Sequence, residues 1–178
     1  MIEAPLSAPP KAYMDIIGPL INKAKEFLES GETLQAIAFV GNLTSRQVIP
    51  VLIQQASGED KDSSAKTIQK MASISEADFV FTIMEAWSLR PDKVPQMDAI
   101  MDKYGSIGAS PYAIDVCSML LETKRGIWVA QPTIKAKGVS KKKRTFGPVE
   151  FRYYTEVEGR FSHLLPAKEG DEPPAILH

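Results

Sequence analysis

The chain is short of the residues that build soft-metal and thiol chemistry. It has one cysteine, Cys117, and two histidines, His163 and the terminal His178. A single thiol cannot close an internal disulfide, and a structural zinc site draws on several Cys or His ligands. A carboxylate site for a hard cation is not excluded by these counts. Charge of one sign is also lacking. Lys and Arg number 21 against 22 Asp and Glu, for a net charge of −1, so no overall field draws the chain toward polyanions. No apolar run approaches the roughly 18 residues a membrane helix needs. The first residues, Met1-Ile2-Glu3-Ala4-Pro5, carry neither the basic nor the apolar region of a secretory signal. The expectation is a cytoplasmic protein with no membrane partner. No phosphate loop, dinucleotide fingerprint, His-Glu-x-x-His or Gly-x-Ser-x-Gly is present, and no internal repeat. No cofactor is therefore implied.

What is present is an ordinary globular composition: 178 residues, 44% hydrophobic and 24% charged, the size of one domain with a sizeable core. Residues 1–10 hold three prolines and read as a mobile lead-in. Residues 11–166 read as the domain, and residues 167–178 as an acidic, Pro-containing tail.

Along the domain, Tyr13, Ile16, Ile17, Leu20, Ile21, Ala24, Phe27 and Leu28 share one helical face, with Gly31 placed to end that helix. Pro19 implies either a start near Ile17 or a kink. Gln35–Val40 and Val48–Ile53 read as paired strands, and Pro50 puts the second at an edge. Residues 57–64 read as a polar loop, with Ser63 or Ser64 capping a second helix that buries Ala65, Ile68, Met71 and Ala72. Asp78–Leu89 is apolar on both faces and reads as a central strand. Residues 91–112 form a long connection with a helical turn or two around Gln96–Tyr104. Ile114–Leu121 and Ile127–Thr133 form a hairpin across Thr123-Lys124-Arg125-Gly126. Val149–Val157 reads as a further strand. Gly159-Arg160 reads as a turn and Phe161–Pro166 as a last apolar element. The order predicts an α+β fold: a largely antiparallel sheet of about five to seven strands, with an N-terminal amphipathic helix and a second helix on one face.

The densest chemical signal is basic. Lys135, Lys137, Lys141, Lys142, Lys143 and Arg144 fall within ten residues, and Phe146 follows. Such a segment can neutralise phosphates while the aromatic ring stacks on a base. It can equally be a solvated hairpin tip. Its partner would be a nucleic acid or an acidic protein surface.

Glu85 lies two residues before Trp87 on one strand face. Burial beside an aromatic ring would suit it to general acid–base work, whereas a cross-strand Lys or Arg would make it structural. Pro91-Asp92 and Glu122-Thr123-Lys124 together match the loose Pro-Asp…Glu-x-Lys pattern of restriction-type nucleases. There two carboxylates hold Mg²⁺ and a lysine orients water. Glu59-Asp60-Lys61 repeats part of that pattern. A Cys117–His163 dyad requires the fold to join two distant residues, and Cys117 sits in an apolar run where thiols are usually packed and inert.

The chain resembles uncharacterised prokaryotic and phage proteins in four short motifs: Ser30-Gly31-Glu32 after the first helix, Ala36–Val40, a central strand closing on Glu85-Ala86-Trp87, and Gly159-Arg160…Leu164-Leu165-Pro166. The likeness spans most of residues 12–166. It implies a bacterial or phage source and brings no activity with it. The function expected is thus a non-enzymatic binding or accessory protein acting through the basic segment. The alternatives are a small Mg²⁺-dependent hydrolase or nuclease using Asp92, Glu122 and Lys124, with Glu85 as a further candidate, and a homo-oligomeric interaction subunit joined at an edge strand.

Overall fold

The N-terminal periodicity forms α1 (Lys11–Glu29), which buries Tyr13, Ile17, Ile21, Ala24 and Leu28 along one stripe. The computed structural model describes residues 5–155 and 164–165. The helix starts at Lys11, not Ile17, because the Pro10 carbonyl accepts the Tyr13 and Met14 amides. It runs on through Pro19 as one element. Pro19 falls on the exposed side, where losing a backbone bond costs least. The C-terminal turn closes on Gly31 at φ +90°: Gly31 N–H donates to Leu28 and Glu32 N–H to Phe27. That pairing is the Schellman arrangement, which needs the left-handed conformation glycine adopts freely.

Six strands follow in one antiparallel sheet: β1 (Ile37–Gly41), β2 (Val48–Leu52), β3 (Phe79–Leu89), β4 (Ala113–Thr123), β5 (Gly126–Ala130) and β8 (Arg152–Tyr154). Between β5 and β8 a separate two-stranded ribbon forms from β6 (Ile134–Ala136) and β7 (Arg144–Phe146). The sheet order is β2-β1-β3-β4-β5-β8. β3, apolar on both faces, is central, and β2, which carries Pro50, is an edge. Ile53 N–H donates to Ala36 O, and Gln47 O accepts from Asn42 N–H. Odd-numbered residues of β2 therefore turn their backbone toward β1, and Pro50 turns its nitrogen to the free edge. β4 and β5 meet across a two-residue turn, Lys124-Arg125, with Thr123 opposite Gly126.

The helices take opposite faces of the sheet rather than one. α1 packs on Phe79, Phe81, Ile83, Cys117, Met119, Leu121 and Trp128. α2 (Gly58–Ile74) packs with Ala38, Val40, Ile53 and Val80. Successive strand residues point to opposite sides, so Phe79 and Val80 serve different cores. A sheet with a doubly apolar central strand needs cover on both sides, and one helix goes to each.

α2 also starts earlier than the sequence suggested. The polar stretch after Ser57 is its first two turns. Ser57 Oγ accepts the Asp60 amide at 3.1 Å, and Glu59 and Asp60 occupy the first turn, where carboxylates complement the helix dipole. Ser64 does not cap; its buried hydroxyl accepts the Gln54 amide at 2.9 Å and ties α2 to the end of β2. Ser57→Ala is expected to cost about 1 kcal/mol, measurable as a fall in the urea midpoint at unchanged slope; no change would exclude this cap.

The 91–112 connection holds a 3-10 turn over Pro91–Gln96 and α3 (Met97–Tyr104). It spans the end of the β3–β4 pair, where Leu89 faces Ala113. Residues 5–10, part of the expected lead-in, are tied to the far edge: Leu6 bridges Arg152, and Ser7 N–H donates to Phe151 O. The expected strand at Val149–Val157 is shorter, covering Arg152–Tyr154. The expected turn at Gly159-Arg160, His163 and the tail lie outside the described residues. Of the last apolar element, Leu164 and Leu165 are described, with Leu164 in the α2-side core. Among the described residues no helix is long and apolar enough to cross a membrane.

Candidate functional site

The basic segment folds as a β-ribbon, and the fold divides its residues into anchors and free cations. Ile134 and Phe146 face each other across the ribbon, and both are buried in the α1-side core. Phe146 is 2% exposed, so it is a packing residue and has no face to offer a base. Its ring instead takes the Lys25 ammonium 5.8 Å from its centroid. Arg144 ion-pairs with Glu85, and Lys137 with Glu29 near the end of α1. The Lys137 hydrogen bond holds the Glu29 carboxyl below its ordinary range. Lys137 N–H donates to Lys143 O and closes the base of the tip. Lys142 packs its Cβ against Gly31; a side-chain carbon on that glycine would lie 3.6 Å from it.

Five of the segment's cations remain exposed: Lys135, Lys137, Lys141, Lys142 and Lys143. Of these, Lys137 is committed to Glu29. Among the described residues no carboxylate pairs with Lys135, Lys141, Lys142 or Lys143. The Ser140 hydroxyl accepts the Lys143 amide at 3.2 Å, which shapes the tip locally.

Glu85 is structural in this arrangement. One carboxylate oxygen accepts from Arg144, and the other accepts the Leu34 amide at 3.0 Å. The hydrogen bond that Arg144 donates to Glu85 raises the guanidinium pKa above its ordinary value. Glu85 thus clamps three elements: the ribbon, β3 and the chain leaving α1. Two residues on, Trp87 is 65% exposed. Its ring rests on the backbone of Gly108, where an added Cβ would lie 2.6 Å from the indole. Across the strand pair from Trp87 stands Asp115, which is exposed.

The residues of the nuclease-like pattern do not come together. Asp92 follows the end of β3 and pairs with Arg90 at 2.8 Å; that hydrogen bond lowers its pKa. Glu122 lies at the other end of the sheet, opposite Val80. Ala113, opposite Leu89, is nine strand steps from Glu122, or about 30 Å at strand rise. Ligands of one ion each lie within about 2.6 Å of it. Glu122 is buried and accepts the amides of Leu164 and Leu165, while Lys124 is an exposed turn residue. Among the described residues no group of three or more His, Cys, Asp or Glu could hold a metal.

Cys117, on β4 opposite Glu85, is buried on the α1 side. Burial, then the Glu85 charge, pushes its thiol up to about 12. A thiol so protonated is not a nucleophile. The other member of the dyad, His163, lies outside the described residues.

Sequence reading did not separate the anchoring cations from the free ones, because partners 59 and 108 residues away decide the matter. It also passed over Asp115, whose neighbour is set by β3–β4 register. No family model, curated protein or solved structure matches the chain.

Proposed function

We propose that the protein is a non-enzymatic binding module whose β6–β7 tip grips the phosphate backbone of a nucleic acid. The observation that carries this reading is the exposed run Lys141-Lys142-Lys143, which pairs with no carboxylate among the described residues and is held on a ribbon anchored by Arg144–Glu85, Lys137–Glu29 and Phe146. An anchored ribbon presents its charges at fixed positions, which limits the entropy lost on binding. Lys135 adds a fourth cation on the ribbon itself. A cytoplasmic setting fits the reading.

The test is fluorescence anisotropy with labelled single- and double-stranded DNA and RNA, at several salt concentrations, with and without Mg²⁺. Four lysines on phosphates give a log–log salt slope of about −3. Replacing Lys141, Lys142 and Lys143 together by Ala is expected to flatten the slope to about −1 and to weaken low-salt binding by about tenfold or more, with thermal stability unchanged. Unchanged binding in the variant would remove the tip from the interaction. Absence of binding to every nucleic acid at low salt would overturn the reading and direct the search to an acidic protein surface. Mg²⁺-dependent strand shortening would favour a hydrolase, which the separation of Asp92 from Glu122 does not support.

A further inference from the structure

Trp87 is a large aromatic residue left facing water at the end of a central strand. Most such rings on a folded surface find cover, and this one has cover on one side only. The Gly108 backbone meets the indole so closely that any side chain there would collide with it. Gly108 therefore fixes the ring from one side, and the remaining surface stays open at 65% exposure.

Its cross-strand neighbour is Asp115. Directly opposed residues share a face, with Cβ atoms about 5 Å apart. Among the described residues Asp115 makes no hydrogen bond or ion pair, though its charge acts on the Arg144 guanidinium. Glu85 lies on the same face two residues back along β3, about 7 Å away, and its charge is taken up by Arg144. Arg144 in turn begins the strand that leads from the lysine tip. The open ring, a carboxylate beside it that accepts no hydrogen bond among the described residues, and the basic ribbon thus occupy one side of the sheet.

We infer that Trp87 and Asp115 form a seat for one unpaired nucleobase, a guanine, in the strand held by the ribbon. This rests on the nucleic-acid reading above and narrows it to single-stranded regions, since a paired base exposes neither its face nor its pairing edge. The indole supplies the stacking surface, as any base offers a π-face. The carboxylate selects. It accepts hydrogen bonds and donates none. Guanine alone presents two adjacent donors, N1–H and the N2 amino group, on its pairing edge, which a carboxylate accepts together. A cationic ligand would also favour a ring beside a carboxylate. Here the Arg144 guanidinium and the ribbon lysines oppose it, and they favour a ligand that is planar at one end and anionic at the other.

Two tryptophans are present, and Trp128 is buried, so an aqueous oligonucleotide reaches only Trp87. The experiment titrates the full chain with a twelve-residue oligouridine carrying one central guanine, and with the all-uridine strand, following tryptophan emission and anisotropy together. The guanine strand is expected to quench emission and to bind about tenfold more tightly. Trp87→Ala is expected to lose the quench and about tenfold in affinity, with the salt slope intact. Asp115→Asn is expected to lose the guanine preference, because the amide replaces one of the two acceptor oxygens with a donor nitrogen. Both side chains are exposed, so neither change should move the melting temperature.

Equal quenching by both strands, or a guanine preference that survives in Asp115→Asn, would overturn the seat. So would steep salt-dependent binding with no quench, which would leave the ribbon's role standing. Quenching by tetramethylammonium in place of the oligonucleotide would overturn it in favour of a cation site. A guanine-dependent quench with a flat salt slope would uphold the seat and instead remove the phosphate grip.

Discussion

Glu122→Ala is expected to destabilise the protein by about 3 kcal/mol. The carboxylate is 6% exposed on β4. It accepts the Leu164 amide at 2.8 and 3.0 Å and the Leu165 amide at 3.1 Å. Leu164, 1% exposed, packs with Ile68 and Val80 in the α2-side core. Alanine would remove the acceptor and leave two backbone donors without it. A buried unsatisfied group costs about 1–3 kcal/mol, and the loss is larger where the missing partner is charged. At this chain length about 3 kcal/mol corresponds to roughly 10 °C in Tm. Hydrogen exchange would show where the damage lies: the Leu164 and Leu165 amides should lose protection before the β3–β4 pair does. Glu122→Gln keeps one acceptor oxygen and should cost about half as much. A loss below about 1 kcal/mol for the alanine variant would mean that this carboxylate is not what anchors Leu164 and Leu165.

Gly41→Ala is expected to cost about 3 kcal/mol through a different route. Gly41 faces Phe79 across the β1–β3 pair, and the far end of the phenyl ring reaches into the space a side chain there would need. A Cβ at Gly41 would sit 2.1 Å from Phe79 Cζ. The ring has no space to retreat into: it is fully buried, with Tyr13 edge-on at 5.8 Å and 87°. Overpacking of this kind typically costs 1–3 kcal/mol, and it reaches the upper end, about 3, where both neighbours are fixed. Phe79→Leu removes the atoms that collide. The double variant should therefore be more stable than the sum of the single losses predicts, with a coupling of about 1 kcal/mol or more. Additivity within about 0.5 kcal/mol would show that the ring contact is not what requires glycine at this position.

The fold was legible where one residue type forces one outcome. Apolar residues on both faces of Phe79–Leu89 require a central strand, and Pro50 requires an edge; both are found. The Lys124-Arg125 turn follows from the strand patterns on either side of it. The sidedness of the helices was not legible. An amphipathic stripe says that a helix is covered, not which face of the sheet covers it. The start of α2 was obscured because Glu59, Asp60, Lys61 and Asp62 look like loop composition, although Ser57 caps them into a helix. The ribbon strands β6 and β7 are three residues each, too short to establish a period.

The candidate site was harder to read for a related reason: chemistry depends on distance, and sequence supplies only order. Asp92 and Glu122 satisfy a motif and stand at opposite ends of the sheet. Phe146 follows a run of cations and is a core residue because Ile134 faces it across the ribbon. Trp87 and Asp115 are 28 positions apart in the chain and side by side in space, a pairing created by the register of β3 on β4.

The orientation of Pro50 has a bearing on how the protein behaves in a crowded solution. An open strand edge offers a row of amide donors to any other extended chain, and that row is the usual starting point for runaway self-association. On β2 the outward positions are Val48, Pro50 and Leu52, and the middle one has no hydrogen to give. An incoming strand finds two donors separated by a gap. The opposite border, β8, is three residues long, and its outer side is already met by the Leu6–Arg152 bridge and the Ser7 amide on Phe151 O. Among the described residues, addition to the six-stranded sheet is thus disfavoured on one side by a missing hydrogen and on the other by a segment already seated there.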